Sequence, residues 1–93
     1  MKYIRVSWKH TFDNEPVELL SEMDEARFET QKIEIFRDGS IGFASGTESV
    51  AGTRLSDEPL PSITEIAADP QFEPEEISQQ DFDQLWSKRY QKL

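Results

Sequence analysis

Cysteine is absent from this 93-residue sequence, and histidine occurs once. The lack of cysteine excludes disulfide bonds and thiolate metal sites and is typical of a reducing compartment. No apolar run approaches the ~18 residues that a membrane-spanning helix needs, and the first ten residues do not form an apolar signal segment. We therefore expect a soluble cytoplasmic protein without a metal, a cofactor or a membrane contact.

Positive charge is missing from Leu55 to Asp83, a span that contains no Lys, Arg or His. The whole chain has 19 acidic and 10 basic residues, for a net charge of −9. Such a balance argues against direct nucleic-acid binding, which requires a basic footprint, and against anionic membranes. A field of this sign would attract a basic protein partner. The span holds nine acids: Asp57, Glu58, Glu65, Asp69, Glu73, Glu75, Glu76, Asp81 and Asp83.

Alternating apolar residues predict strands in the first part of the chain. "YIRVSWK" (residues 3–9) places Ile4, Val6 and Trp8 on one face of a strand. "VELLSEM" predicts a second strand in which Leu20 interrupts the alternation, which indicates apolar contacts on both faces. "RFETQKIEIF" has the β-branched and aromatic content of a third strand.

The run "KIEIFRDGSIGFAS" predicts a β-hairpin around Asp38-Gly39. A two-residue turn would set Phe43 opposite Glu34. A three-residue loop with Gly39 in a left-handed bulge position instead sets Ile35 opposite Ile41 and groups the apolar residues on one face. Because the buried face determines register, the sequence favours the bulged hairpin.

Two helices are predicted in the second half. Ser62 and Glu65 have capping-box spacing before a short helix that Pro70 ends. Ser78 caps a final helix with Phe82, Leu85, Trp86 and Tyr90 on one face. Between the helices, "QFEPEEI" is extended, and its proline excludes a central strand.

Strands first and helices last predict a single α+β domain over residues 1–93. In this prediction, an antiparallel sheet of three to four strands is covered on one face by the C-terminal helix, with one short additional helix. An edge strand left uncovered could pair with another copy, so the sequence leaves the oligomeric state open.

Three runs, "KIEIFRDGSIGFAS", "GTRLSDEPLPSITEIAADPQFEPEEIS" and "FDQLW", resemble a family of small bacterial proteins known as a domain of unknown function. The likeness extends from about Tyr3 to Trp86, and "EIAADPQFEP" is its most specific part. The resemblance implies a bacterial cytoplasmic protein of about this size. It implies no activity, cofactor or catalytic residue.

No residue pattern predicts catalysis. The sequence lacks a nucleophile elbow, a phosphate loop and a calcium-loop spacing, and it offers only His10 as a histidine base. We therefore expect no enzymatic activity and name no catalytic, cofactor or metal residues.

The functional hypothesis is a small acidic protein-binding module, such as an immunity or inhibitor protein that occludes a basic toxin nuclease. Two alternatives stay open: a small-molecule module with a pocket between sheet and helix, and a nucleic-acid mimic. The candidate partner-binding residues are Glu73, Glu75, Glu76, Asp69 and Phe72.

Overall fold

Six strands form one antiparallel sheet in a computed structural model that describes all residues 1–93. The spatial order of the strands is β5-β4-β3-β2-β1-β6. The sequence therefore runs as a meander from β1 to β5 and then returns to add β6 beside β1. The elements are β1 (Lys2–Trp8), β2 (Glu18–Met23), β3 (Glu29–Ile35), β4 (Ile41–Ser45), β5 (Ser49–Val50), α1 (Ile63–Ala67), β6 (Phe72–Glu76) and α2 (Gln79–Ser87).

The predicted fold class, an α+β sheet of three to four strands covered by a C-terminal helix, is wrong. The molecule is mostly sheet, with six strands and two short helices. The two missed strands have separate causes. β5 has only two residues, too few for a visible alternation. β6 contains Pro74, which excludes a central strand but not the edge position that β6 occupies.

Pro74 suits the outer edge for a specific reason. Lys9 N donates to Gln71 O, and Ile77 N donates to Tyr3 O, so the odd-numbered residues of this segment bond inward to β1. Pro74, paired with Val6, occupies an alternate position whose backbone groups point away from β1. Because proline has no N–H, the free edge of β6 has one donor fewer that could bond to a strand of another chain.

The bulged hairpin is confirmed. Ile35 pairs with Ile41 and Ile33 with Phe43, and Phe36 N donates to Ser40 O at 2.9 Å. Gly39 has φ of 87° in the loop. Asp38 accepts hydrogen bonds from the side chain and backbone of Ser40, which hold the pKa of Asp38 below its usual value.

One face of the sheet, here the α2 face, carries the main apolar core. Phe82 of α2 is fully buried there, and Leu85 and Trp86 pack against the same cluster. Ser78 caps the helix as predicted by accepting from Asp81 N. At the margin of this core, burial and the hydrogen bond that Tyr3 donates to Glu22 raise the pKa of Tyr3 to about 12. The strand residues of the cluster are Tyr3, Leu20, Ile33, Ile35 and Ile41.

The opposite face is crossed by the segment from Leu55 to Gln71, here called the strap, which includes α1. The predicted capping box is present: Ser62 Oγ accepts from Glu65 N, and Glu65 Oε1 accepts from Ser62 N. Ile66 of α1 faces the sheet on this side. The side chain of Leu19 lies on this face, and the side chain of Leu20 is buried on the α2 face. This confirms the prediction that β2 has apolar contacts on both faces.

Replacing Gly39 with alanine should lower the free energy of unfolding by about 1–2 kcal/mol, because an L residue resists positive φ. An added Cβ would also meet the carbonyl oxygen of Leu93. Gly46→Ala is the matched control, since Gly46 has no positive φ and open space around it. Urea unfolding of the two variants measures the difference, and equal midpoints at equal slope would contradict the assigned loop.

Candidate functional site

A cavity of about 380 Å³ opens between the sheet and the strap. Its lining is mainly apolar on both sides, with a few charged and hydroxyl groups. The sheet contributes Ile4, Val6, Leu19, Ser21, Glu29, Lys32 and Phe72, and the strap contributes Leu60, Pro61, Glu65, Ile66 and Asp69. A concave apolar surface with a small number of polar groups is the usual form of a small-ligand site.

A β-bulge at Thr30 turns Glu29 toward this cavity. Glu22 pairs with Gln31, whereas the next residue, Met23, pairs with Glu29, so Thr30 is an extra residue in β3. Without the bulge, alternation would place Glu29 on the α2 face with Gln31 and Ile33. The bulge therefore brings Glu29 to the same face as Lys32.

The Glu29 carboxylate is buried and well satisfied. Its side chain is 1% exposed. Oε2 accepts from Ser21 Oγ at 2.6 Å, and Oε1 accepts from the backbone N of Ser56 at 2.7 Å. A buried carboxylate needs such partners, because a bare charge in an apolar environment is costly. Glu29 thereby joins β2, β3 and the strap at one point.

Lys32 supplies the compensating positive charge. Its Nζ lies 3.5 Å from Glu29 Oε1, and its side chain is 16% exposed. Lys32 lines the cavity and is the one cationic side chain that does so. The inner wall of the cavity thus contains a nearly buried, charge-neutral pair.

Arg27 holds the strap through Leu60 and Pro61, both of which line the cavity. Its Nε donates to Leu60 O at 2.9 Å, and its Nη2 donates to Pro61 O at 2.7 Å. Leu60 N in turn donates to Arg27 O. Arg27 adopts φ of 70°, an uncommon value for a residue other than glycine, and these contacts compensate for it.

The acids proposed from the sequence do not form one patch. Glu73 and Glu75 lie on the α2 side of β6, where Glu73 pairs with Lys9 and Glu75 pairs with Arg5. Glu76 is exposed on the other side, opposite Ile4. Strand alternation therefore separates the three carboxylates, and two of them already have basic partners.

The other two predicted residues, Asp69 and Phe72, do come together at the cavity. Phe72 also packs against Trp8, with ring centroids 5.8 Å apart. Asp69 accepts hydrogen bonds from the backbone and side chain of Gln71.

Sequence reasoning missed Glu29 and Lys32, since charged residues within an alternating strand are typical of a solvated face. The interrupted alternation at Leu20 was the available sign that both faces are covered.

The His10 ring packs between Trp8 and Phe12, and both of its nitrogens have backbone partners. One ring nitrogen lies 2.7 Å from Pro16 O, and the other accepts from Phe12 N. No group of three metal-ligating side chains is close enough to hold an ion. Neither helix has the length and apolar character required to cross a membrane.

The chain belongs to the family described as "Domain of unknown function (DUF6881)", whose model matches residues 2–91. The match agrees with the sequence resemblance to a domain of unknown function and extends it over nearly the whole chain. No curated protein and no solved structure matches the chain.

Glu29→Gln should destabilise the fold by about 3 kcal/mol, because it leaves the Lys32 charge without a partner and places an amide among donors. Chemical denaturation of the variant measures this loss. Glu25→Gln, an exposed change in the preceding turn, should shift stability by less than about 0.5 kcal/mol. If both variants unfolded at the parent's midpoint, Glu29 would not have the structural role assigned to it.

Proposed function

We propose, for a chain whose family has no assigned function, that this protein is a non-catalytic binding module that takes a small apolar ligand into the cavity. The observation that carries this proposal is the apolar space between the sheet and the strap, with a volume of about 380 Å³. Small-ligand pockets range from about 300 to 1,000 Å³ and combine apolar walls with a few placed polar groups. This cavity has both properties.

The two sides of the cavity are fixed independently of any ligand. The inner side belongs to the sheet, and the outer side is fastened by the contacts of Ser56 with Glu29 and of Leu60 and Pro61 with Arg27. A ligand would therefore enter a largely formed site and would not have to order the chain, which favours affinity.

Cumene, a small aromatic hydrocarbon, is a suitable first probe. Its titration should shift the isotope-labelled methyl signals of Ile4, Val6, Leu19 and Ile66, which line the cavity. The methyl groups of Ile33, Ile35 and Ile41 on the α2 face are internal controls and should not move. A ligand of this size should bind with Kd of about 1 mM.

Filling the cavity supplies the matched variant. Val6→Phe adds volume inside the cavity and should abolish the shifts, whereas Val50→Phe adds the same volume at an exposed site on β5 and should preserve them. Equal shifts in both variants, or shifts confined to the α2 face, would disprove the proposed site.

A basic protein partner is the second candidate function, including an immunity or inhibitor role. It is favoured by the charge of the strap and β6, which together with the start of α2 carry nine acids and no cation. Asp69 and Phe72 at the cavity would then serve as a charged and an apolar contact for that partner.

Two charge-reversal variants test this candidate by affinity purification. Asp57, Glu58 and Glu76, all exposed and free of ion pairs, are changed to Lys in one variant; Asp13, Glu15 and Glu25 are changed in the control. A basic partner should be retained by the parent and the control, and lost from the first variant and at high salt. Equal retention by both variants would exclude the acidic span as its docking surface. Displacement by duplex DNA would indicate nucleic-acid mimicry.

A further inference from the structure

The ammonium group of Lys32 has unused hydrogen-bonding capacity inside the proposed ligand site. It lies 3.5 Å from Glu29 Oε1 but donates no hydrogen bond within the chain. An ammonium group has three donors, and those of Lys32 that do not face Glu29 are available to a ligand acceptor in place of water. Most of the cavity surface around it is apolar and offers none.

Glu29 and Lys32 together carry no net charge. The carboxylate already accepts from Ser21 and Ser56 and faces the Lys32 ammonium. A third charge placed beside this pair would lose its hydration and would meet one partner of the same sign. The inner wall therefore disfavours both an anionic and a cationic ligand group.

The acids near the strap helix do not reverse this preference. Glu65 is engaged with Ser62 in the capping box, and Asp69 is engaged with Gln71. Their negative charge, which is part of the chain's net charge of −9, further opposes an anion. Glu65 is exposed, so its attraction for a cation is screened by water and salt.

We infer that the ligand is an uncharged, mainly apolar molecule with one acceptor oxygen, such as a carbonyl, which accepts a hydrogen bond from Lys32 Nζ. This inference rests on the proposed ligand-binding function and specifies the class of ligand. Lys32 is the specificity-determining residue in this arrangement, and the apolar side chains supply a contact that does not discriminate between polar groups.

Four probes of similar shape and the same number of non-hydrogen atoms separate the possibilities. Cumene has no acceptor, acetophenone has a neutral carbonyl, benzoate is an anion and benzamidine is a cation. Acetophenone should bind about five-fold more tightly than cumene, and both ions should bind more weakly than acetophenone. Methyl-signal titrations measure the four affinities, and the side-chain signal of Lys32 next to its nitrogen should move with acetophenone but not with cumene.

The outcomes distinguish this inference from the proposed function. If none of the probes shifts the cavity methyl groups, the ligand-binding function itself fails. If cumene and acetophenone bind equally, the site stands and the role of Lys32 is overturned. Tightest binding of benzoate or of benzamidine would likewise overturn the preference for a neutral ligand.

A variant pair tests Lys32 directly. Lys32→Met alone leaves the buried Glu29 charge unpaired and risks unfolding, so Lys32→Met is combined with Glu29→Gln to keep the site neutral. The double variant should bind acetophenone and cumene with equal affinity, while Glu29→Gln alone, titrated under conditions in which it stays folded despite its lower stability, should retain the preference for acetophenone. A preference that survives in the folded double variant would contradict the inference, and the Lys32 signal in the unaltered protein gives the same answer without any substitution.

Discussion

The buried carboxylate of Glu29 is the contact on which this architecture depends. It accepts hydrogen bonds from Ser21 of β2 and from the backbone of Ser56 in the strap, and it faces Lys32 on its own strand. Thr30, the extra residue in β3, shifts the alternation so that the Glu29 side chain lies on the face covered by the strap. The same carboxylate therefore fixes the outer cover to the sheet and places a charged pair inside an otherwise apolar cavity.

The two faces of the sheet are completed in different ways, and this difference explains why the cavity lies where it does. On the α2 face, Phe82 packs against the apolar side chains of the sheet and is removed entirely from water, with Trp86 stacked beside it. On the other face, α1 lies between two attachments: the loop before it is bonded to Glu29 and Arg27, and Gln71 after it accepts from the backbone N of Lys9. A cover attached at its ends leaves space beneath its middle, and apolar side chains line that space.

Local features were predictable from the sequence, whereas features that depend on distant pairing were not. The hairpin register, the capping box and the Ser78 cap each follow from residues close together in the chain, and the structure confirms them. β6 was missed because its partner is β1, far away in sequence, and because Pro74 excludes only central positions. The ion pairs of two candidate acids could not be predicted for the same reason: Arg5 and Lys9 pair with Glu75 and Glu73 only once β6 has joined β1. The position of Glu29 could not be predicted because the bulge at Thr30 reverses the alternation of side chains between the two faces of β3.

The pairing of β1 with β6 has a consequence for the growing chain. β1 is synthesised long before β6, and Arg5 and Glu75 are separated by 70 residues. Until β6 is made, the outer row of backbone groups on β1 is open to pairing with other chains. Arg5 and Lys9 then place positive charges along that open edge, where charge discourages association. Once β6 has been synthesised and pairs with β1, its carboxylates form ion pairs with these two basic residues and help to hold β6 in place.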